Sequence, residues 1–268
     1  MTSHEPRRSS LVLLDLPPGI VWGSGMKAQL QQRLAGRTPV DVDALTEEDL
    51  VRCIDHTLLR PELTRSDLDE AIRIATTYRT ATLCVRPTDL AIAVAGLRGS
   101  VVGPSAVVGF PHGAHTTQTK IREAVASAEL GAVELDMVSN IGWLRSGYEH
   151  LVEEEIEAIV LAVAPVAVKV ILETAYLTDE QVELGCRIAA SSGAAFVKNA
   201  TGFSPRGATV DEIERMRRVV GPTVGVKAAG GIRSLETAMA MLGAGANRFG
   251  CTVTAAIVEE WRAAHSGV

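Results

Sequence analysis

From about residue 50 onward, short runs rich in β-branched residues recur roughly every 25–30 residues, each followed by a longer stretch with apolar side chains at helical spacing. Eight such runs can be read, at residues 53–57, 81–85, 106–110, 133–138, 168–173, 195–199, 224–228 and 247–251. Between them, residues 66–78 align Leu68, Ile72 and Ala75 on one helical face, and residues 209–219 align Ile213 and Met216 with Val220 just beyond. Thr178, Asp179 and Ser234 stand where N-caps or first-turn acids belong, and Gly131, Gly193 and Gly245 where helices hand over to strands. Eight evenly spaced units predict closure into an α/β barrel of the (β/α)8, or TIM, type. An open doubly wound sheet would normally carry Gly-x-Gly-x-x-Gly after its first strand, and none follows Asp55.

The chain has 268 residues, enough for one such barrel and a tail. We expect residues 1–45, mixed in polar, Pro and Gly content, to form a partly ordered N-terminal extension, and residues 46–268 to form the barrel. The apolar run at residues 11–16 contains Asp15 and meets Pro17, Pro18 and Gly19, too short for a signal or membrane helix. A formal charge of −6 disfavours binding to a nucleic-acid backbone. Cys53, Cys84, Cys186 and Cys251 are scattered without a Cys-x-x-Cys pair, which suggests neither a zinc site nor a disulfide framework. A cytoplasmic protein without membrane or nucleic-acid partners is expected.

Strand periodicity then points to chemistry. Side chains two apart share a face, so in Val133-Glu134-Leu135-Asp136-Met137 the carboxylates lie opposite the apolar residues. Lys169, Lys198 and Lys227 alternate with valines in the same way. With the apolar face towards the helices, Glu134, Asp136, Lys169, Glu173, Lys198 and Lys227 should point to the barrel axis. Buried charge is costly, so these groups must pair, hydrate or shift their pKa values. A purely structural ion-pair network is one outcome. However, Lys198 and Lys227 close adjacent strands at the end where barrel enzymes keep their active sites. Two neighbouring ammonium groups disfavour double protonation, so one becomes a nucleophilic amine able to form an imine with a carbonyl. Asp136 is placed to relay protons.

The motifs Ile54-Asp55-His56-Thr57-Leu58-Leu59, Glu134-Leu135-Asp136-Met137-Val138, Val168-Lys169-Val170-Ile171-Leu172-Glu173-Thr174, Phe196-Val197-Lys198 with Thr201-Gly202-Phe203, and Val226-Lys227-Ala228-Ala229-Gly230-Gly231-Ile232-Arg233 occur in order. As a set, they resemble the 2-deoxyribose-5-phosphate aldolase family from about Ile54 to about Thr252. The resemblance implies a class I aldolase, without metal or organic cofactor, that reversibly splits 2-deoxy-D-ribose 5-phosphate into glyceraldehyde 3-phosphate and acetaldehyde. It implies Lys198 as the Schiff-base residue, Lys227 as its electrostatic tuner and Asp136 in proton transfer, through a water shared with Lys169. It also implies that Asp55 and Cys84 line the pocket and that the protein is a homodimer or higher homo-oligomer. For Cys84 the bland alternative is a small buried side chain, and His56 reads equally as a packing histidine.

For the phosphate end, Gly230-Gly231 precedes a helix expected near Ser234, whose free N–H groups can receive an anion, and Arg233 adds positive charge. Thr201 and Gly202 follow the nucleophile's strand; Gly202 and Gly250 would let backbone approach the ligand, and Thr252 offers a hydroxyl. The chain departs from the family's usual Lys-Thr-Ser-Thr-Gly with Lys198-Asn199-Ala200-Thr201-Gly202, then continues Ser204-Pro205-Arg206-Gly207 where glycine-rich sequence is common. Gly250-Cys251-Thr252-Val253 replaces a Ser-rich turn, and Arg60 a common lysine. Two other readings stay open: a Schiff-base aldolase for another, unphosphorylated hydroxy-aldehyde, and a catalytically silent barrel that binds sugar phosphate.

Overall fold

The computed structural model describes residues 40–266. Its strands β1 (Ile54–Leu58), β2 (Thr82–Val85), β3 (Gly103–Val108), β4 (Glu134–Val138), β5 (Ala167–Ile171), β6 (Phe196–Lys198), β7 (Gly225–Ala229) and β8 (Arg248–Cys251) pair in sequence order. All pairings are parallel, and β8 returns to β1 to close the barrel. A short α1 (Glu47–Arg52) precedes β1. The outer ring is α2 (Arg65–Tyr78), α3 (Leu90–Gly96), α4 (Thr117–Leu130), α5 (Ile141–Arg145), α6 (Glu149–Val163), α7 (Asp179–Ser191), α8 (Val210–Val220), α9 (Leu235–Gly243) and α10 (Thr254–His265).

Local sequence starts these helices where it should. Thr64 and Thr178 form reciprocal capping boxes with Asp67 and Gln181, and Thr209 and Ser234 cap the amides of Glu212 and Thr237. Outward strand residues, among them Leu135, Met137, Val168, Val170, Val197, Val226 and Phe249, then pack with Ile156, Ile159, Ile213, Met216 and Ile257 of the helices. Burying each such side chain contributes about 1.5–3 kcal/mol, while a one-residue slip would turn charges into that layer. The register that fills the core therefore also aims the ionisable residues inward.

Two expectations need correction or limit. β3 lies at Gly103–Val108 rather than 106–110. Gly103-Pro104 reads as a turn, but the Pro104 carbonyl accepts from Val133 N, so its missing N–H does not stop the strand from pairing. At the other end Gly109 adopts φ +63 and turns the chain before Phe110. Of the expected 1–45 extension, residues 1–39 lie outside the described residues; Val40, Val42 and Leu45 pack against the core. Among the described residues no helix is long and apolar enough to cross a membrane.

Candidate active site

Inside the barrel the alternation delivers a dense charge cluster. Asp136 on β4 accepts from three ammonium groups: Lys169 at 2.9 Å on one oxygen, Lys198 at 2.8 Å and Lys227 at 2.7 Å on the other. Lys169 also meets Glu134 at 2.6 Å and Asp55 at 3.1 Å, and Lys227 meets Asp55 at 2.5 Å. Arg248 of β8 closes the set below, 2.6 Å from Asp55 and 3.3 Å from Glu134. Thr82 donates to the same Asp55 oxygen at 2.7 Å. Phe196 forms the floor, its ring centroid 5.4 Å from the Arg248 guanidinium and 5.8 Å from the Lys169 ammonium. Gly225 makes room for that ring, since a Cβ there would stand 2.1 Å from Phe196 Cδ1.

The electrostatics separate the lysines. Burial opposes the charge on Lys169, but Asp136, Asp55 and Glu134 outweigh it and hold the ammonium well above its ordinary range. Lys227 is likewise raised, burial being overcome by Asp136 and Asp55. Lys198 moves the other way. Burial lowers it, Asp136 only partly offsets that, and the neighbouring Lys227 lowers it further. Asp136 stays ionised: although burial favours its neutral form, Lys169, Lys198 and Lys227 together hold it far below the carboxylate range. Of the three lysines on Asp136, only Lys198 is lowered.

Above the cluster, Leu59, Cys84, Val107 and Phe110 form an apolar wall separate from the main core. Phe110, in the loop after β3, meets Phe203, in the loop after β6, edge to face at 5.3 Å. Cys84 is fully buried and its thiol is pushed up, first by burial and then by Asp136. The β6 loop is internally braced. Glu173 accepts from the Thr201 hydroxyl and amide and from the Ser204 hydroxyl at 2.7 Å. Asn199 accepts from Ala229 N at 2.8 Å and donates to Glu212 at 3.1 Å, and Arg206 binds Glu212 at 2.8 Å and Thr174 O at 3.0 Å. Gly207 abuts the β7 loop so closely that a Cβ there would lie 2.2 Å from Gly230 O.

Residues 50–259 match the family model described as DeoC/LacD family aldolase. The chain belongs to this family. Deoxyribose-phosphate aldolase of Caldanaerobacter subterraneus is 46% identical over 217 residues, covering 80% of this chain and 94% of the relative. That of Bacillus subtilis is 46% identical over 211 residues, covering 78% and 95%. Among solved structures, the deoxyribose phosphate aldolase from Aeropyrum pernix, described as tetrameric, superposes with a TM-score of 0.76 at 30% identity, over 90% of this chain and 99% of its own. The protein is therefore an aldolase.

In this aldolase the structure brings Lys198, Lys227, Asp136, Lys169 and Asp55 into one cluster. Lys169 and Asp55 are fully buried and engaged with other side chains. Glu173 departs from expectation. The chain turns left-handed there (φ 44) beyond the end of β5, so its carboxylate braces the β6 loop instead of joining the lysines. Thr201 is consumed in the same brace, its hydroxyl also accepting from Phe203 N. Gly202, Gly230, Gly231, Arg233, Gly250 and Thr252 sit half-buried or exposed at the ends of β6, β7 and β8.

At the start of α9 two first-turn amides are occupied: Glu260 of α10 accepts from Leu235 N at 2.6 Å, and the N-cap Ser234 accepts from Thr237 N. His56 is a packing residue, bonded through Nδ1 to Thr254 at 2.9 Å and pushed down to about 4 by burial. Sequence reasoning missed Arg248. The signal was present, since Arg248 lies two residues before Gly250 and so shares its face.

Proposed function

We propose that this aldolase reversibly cleaves 2-deoxy-D-ribose 5-phosphate into D-glyceraldehyde 3-phosphate and acetaldehyde through an imine at Lys198. The observation that carries the reading is the split among the three lysines of the Asp136 cluster: Lys169 and Lys227 each meet two or more carboxylates and are raised, whereas Lys198 meets Asp136 alone and is shifted towards the free amine. The Lys198 amine adds to C1 of the open-chain sugar, and loss of water gives the iminium. Removal of the C3 hydroxyl proton breaks the C2–C3 bond, with its electrons drawn to the iminium nitrogen. Glyceraldehyde 3-phosphate leaves, the resulting enamine is protonated on carbon, and water releases acetaldehyde and the lysine.

Asp136, held ionised beside Lys198, carries these protons through water. Lys227 supplies the adjacent positive charge, and Asp55 and Lys169 act from beneath as partners of these groups rather than by touching substrate. We assign the phosphate to the rim at Gly202, Gly230, Gly231, Arg233, Gly250 and Thr252. Cys84 contributes apolar surface. We further propose that the chain works in the cytoplasm and that it forms a homo-oligomer, the latter supported by the tetrameric structure of the Aeropyrum pernix relative.

Borohydride trapping with 2-deoxyribose 5-phosphate, followed by peptide mass mapping, tests the reading. A reduced adduct on Lys198, lost in Lys198→Ala, is expected. Trapping with free deoxyribose but not with the phosphate ester would replace the substrate and keep the chemistry. Absence of any adduct from folded protein would leave only a sugar-phosphate-binding barrel.

A further inference from the structure

Arg248 sits below the reacting lysine and has no part in the steps above. Among the described residues, the charged groups facing the interior cluster are Asp55 on β1, Glu134 and Asp136 on β4, Lys169 on β5, Lys198 on β6, Lys227 on β7 and Arg248 on β8. Three buried thiols interact with the same groups. Burial pushes Cys53 and Cys251 up to about 11 and also raises Cys84, so all three stay neutral. Three carboxylates therefore confront four basic side chains. A guanidinium does not give up its proton in a protein, so one of the three carboxylate charges is always committed to Arg248. Two remain for three lysines.

Contacts decide which lysine goes without. Lys169 touches Asp55, Glu134 and Asp136; Lys227 touches Asp55 and Asp136; Lys198 touches Asp136 alone. We propose that Arg248 is a positioning residue for catalysis: by occupying Asp55 and Glu134 from below, its permanent charge leaves Lys198 as the amine without a counter-charge of its own. On this view Lys227 is the near influence on Lys198 and Arg248 the distant one, acting through carboxylates that Lys169 and Lys227 share. The inference rests on the reading of Lys198 as the imine-forming residue.

The test compares full-length wild type with Arg248→Met, Glu134→Gln, the double variant and Arg248→Lys. The readout is the pH dependence of borohydride-trapped adduct formation on Lys198 with acetaldehyde, alongside the pH profile of kcat/KM. Arg248→Met equalises three carboxylates with three lysines. Its trapping midpoint should rise by about one pH unit or more, with about a tenfold lower rate on the acid side of the midpoint. Glu134→Gln leaves two carboxylates against four cations and should move the midpoint down.

The double variant restores the wild-type excess of one positive charge and should return the midpoint towards wild type. Arg248→Lys should stay near wild type. A merely structural Arg248 would not give shifts of opposite sign and mutual rescue. Should Arg248→Met not fold, Glu134→Gln and the double variant still decide, since the latter removes both members of a buried pair. Unmoved midpoints, or shifts in the same direction, from proteins that trap on Lys198 would overturn the inference. No adduct on Lys198 in wild type would overturn the imine assignment and this inference with it.

Discussion

Replacing Asp136 by Asn keeps its shape and removes one negative charge from the centre of the cluster. Asp136 lies within 2.9 Å of three lysine ammonium groups, so the loss leaves Asp55 and Glu134 to balance four basic side chains. A second lysine must then stay charged without a partner or release its proton. Breaking a buried pair typically costs about 3–5 kcal/mol. Releasing a proton at pH 7 from a lysine of ordinary pKa about 10.4 costs up to about 4.6 kcal/mol, from 1.36 kcal/mol per unit.

The two routes agree, and the second fixes a pH signature. The orphaned lysine would have a folded pKa below its unfolded one, so the unfolded chain binds more protons and the variant gains stability as pH rises. Chemical denaturation of wild type and Asp136→Asn at pH 7 and pH 9 measures this. We expect a deficit of about 3–5 kcal/mol at pH 7, shrinking by up to about 1.4 kcal/mol per pH unit while that lysine remains neutral in the folded state. A deficit below about 1 kcal/mol, or one that grows with pH, would refute the account of Asp136 as the shared counter-ion.

Lys227→Leu removes the cation that lowers Lys198, so kcat/KM should fall and its acid limb move to higher pH; an unchanged profile in a stopped assay would sink the tuning role. Gly225→Ala should destabilise the barrel by about 1–3 kcal/mol, because the new methyl enters the Phe196 ring, and thermal unfolding would reveal a tolerant floor if no loss appears. Glu173→Ala frees the hydroxyls of Thr201 and Ser204 and should speed proteolysis within residues 199–209 while Lys198 still traps substrate; an unaltered cleavage pattern would speak against the brace.

Much of the site was legible because a buried barrel strand has period two. Val133-Glu134-Leu135-Asp136-Met137 can seat its apolar side on the helices in only one way, and that choice aims both carboxylates inward. The same logic placed Lys169, Lys198 and Lys227. It failed at Glu173, where φ 44 ends the alternation, and at β3, where pairing of the Pro104 carbonyl overrode a local turn signal. Arg248 escaped notice because its strand is only four residues long: Arg248 and Gly250 do alternate with the buried Phe249 and Cys251, but two positions per face make a weak pattern.

The sequence by itself determined the repeating strand and helix units, their caps and the inward set of acids and lysines, because those follow from periodicity and local hydrogen bonding. Only the tertiary structure decided which lysine is nearest neutrality. That depends on barrel closure, which brings Arg248 of β8 against Asp55 of β1 and divides three carboxylates unequally among three lysines. Coulomb interactions act across space, and no spacing along one chain records how many carboxylates each ammonium finally meets.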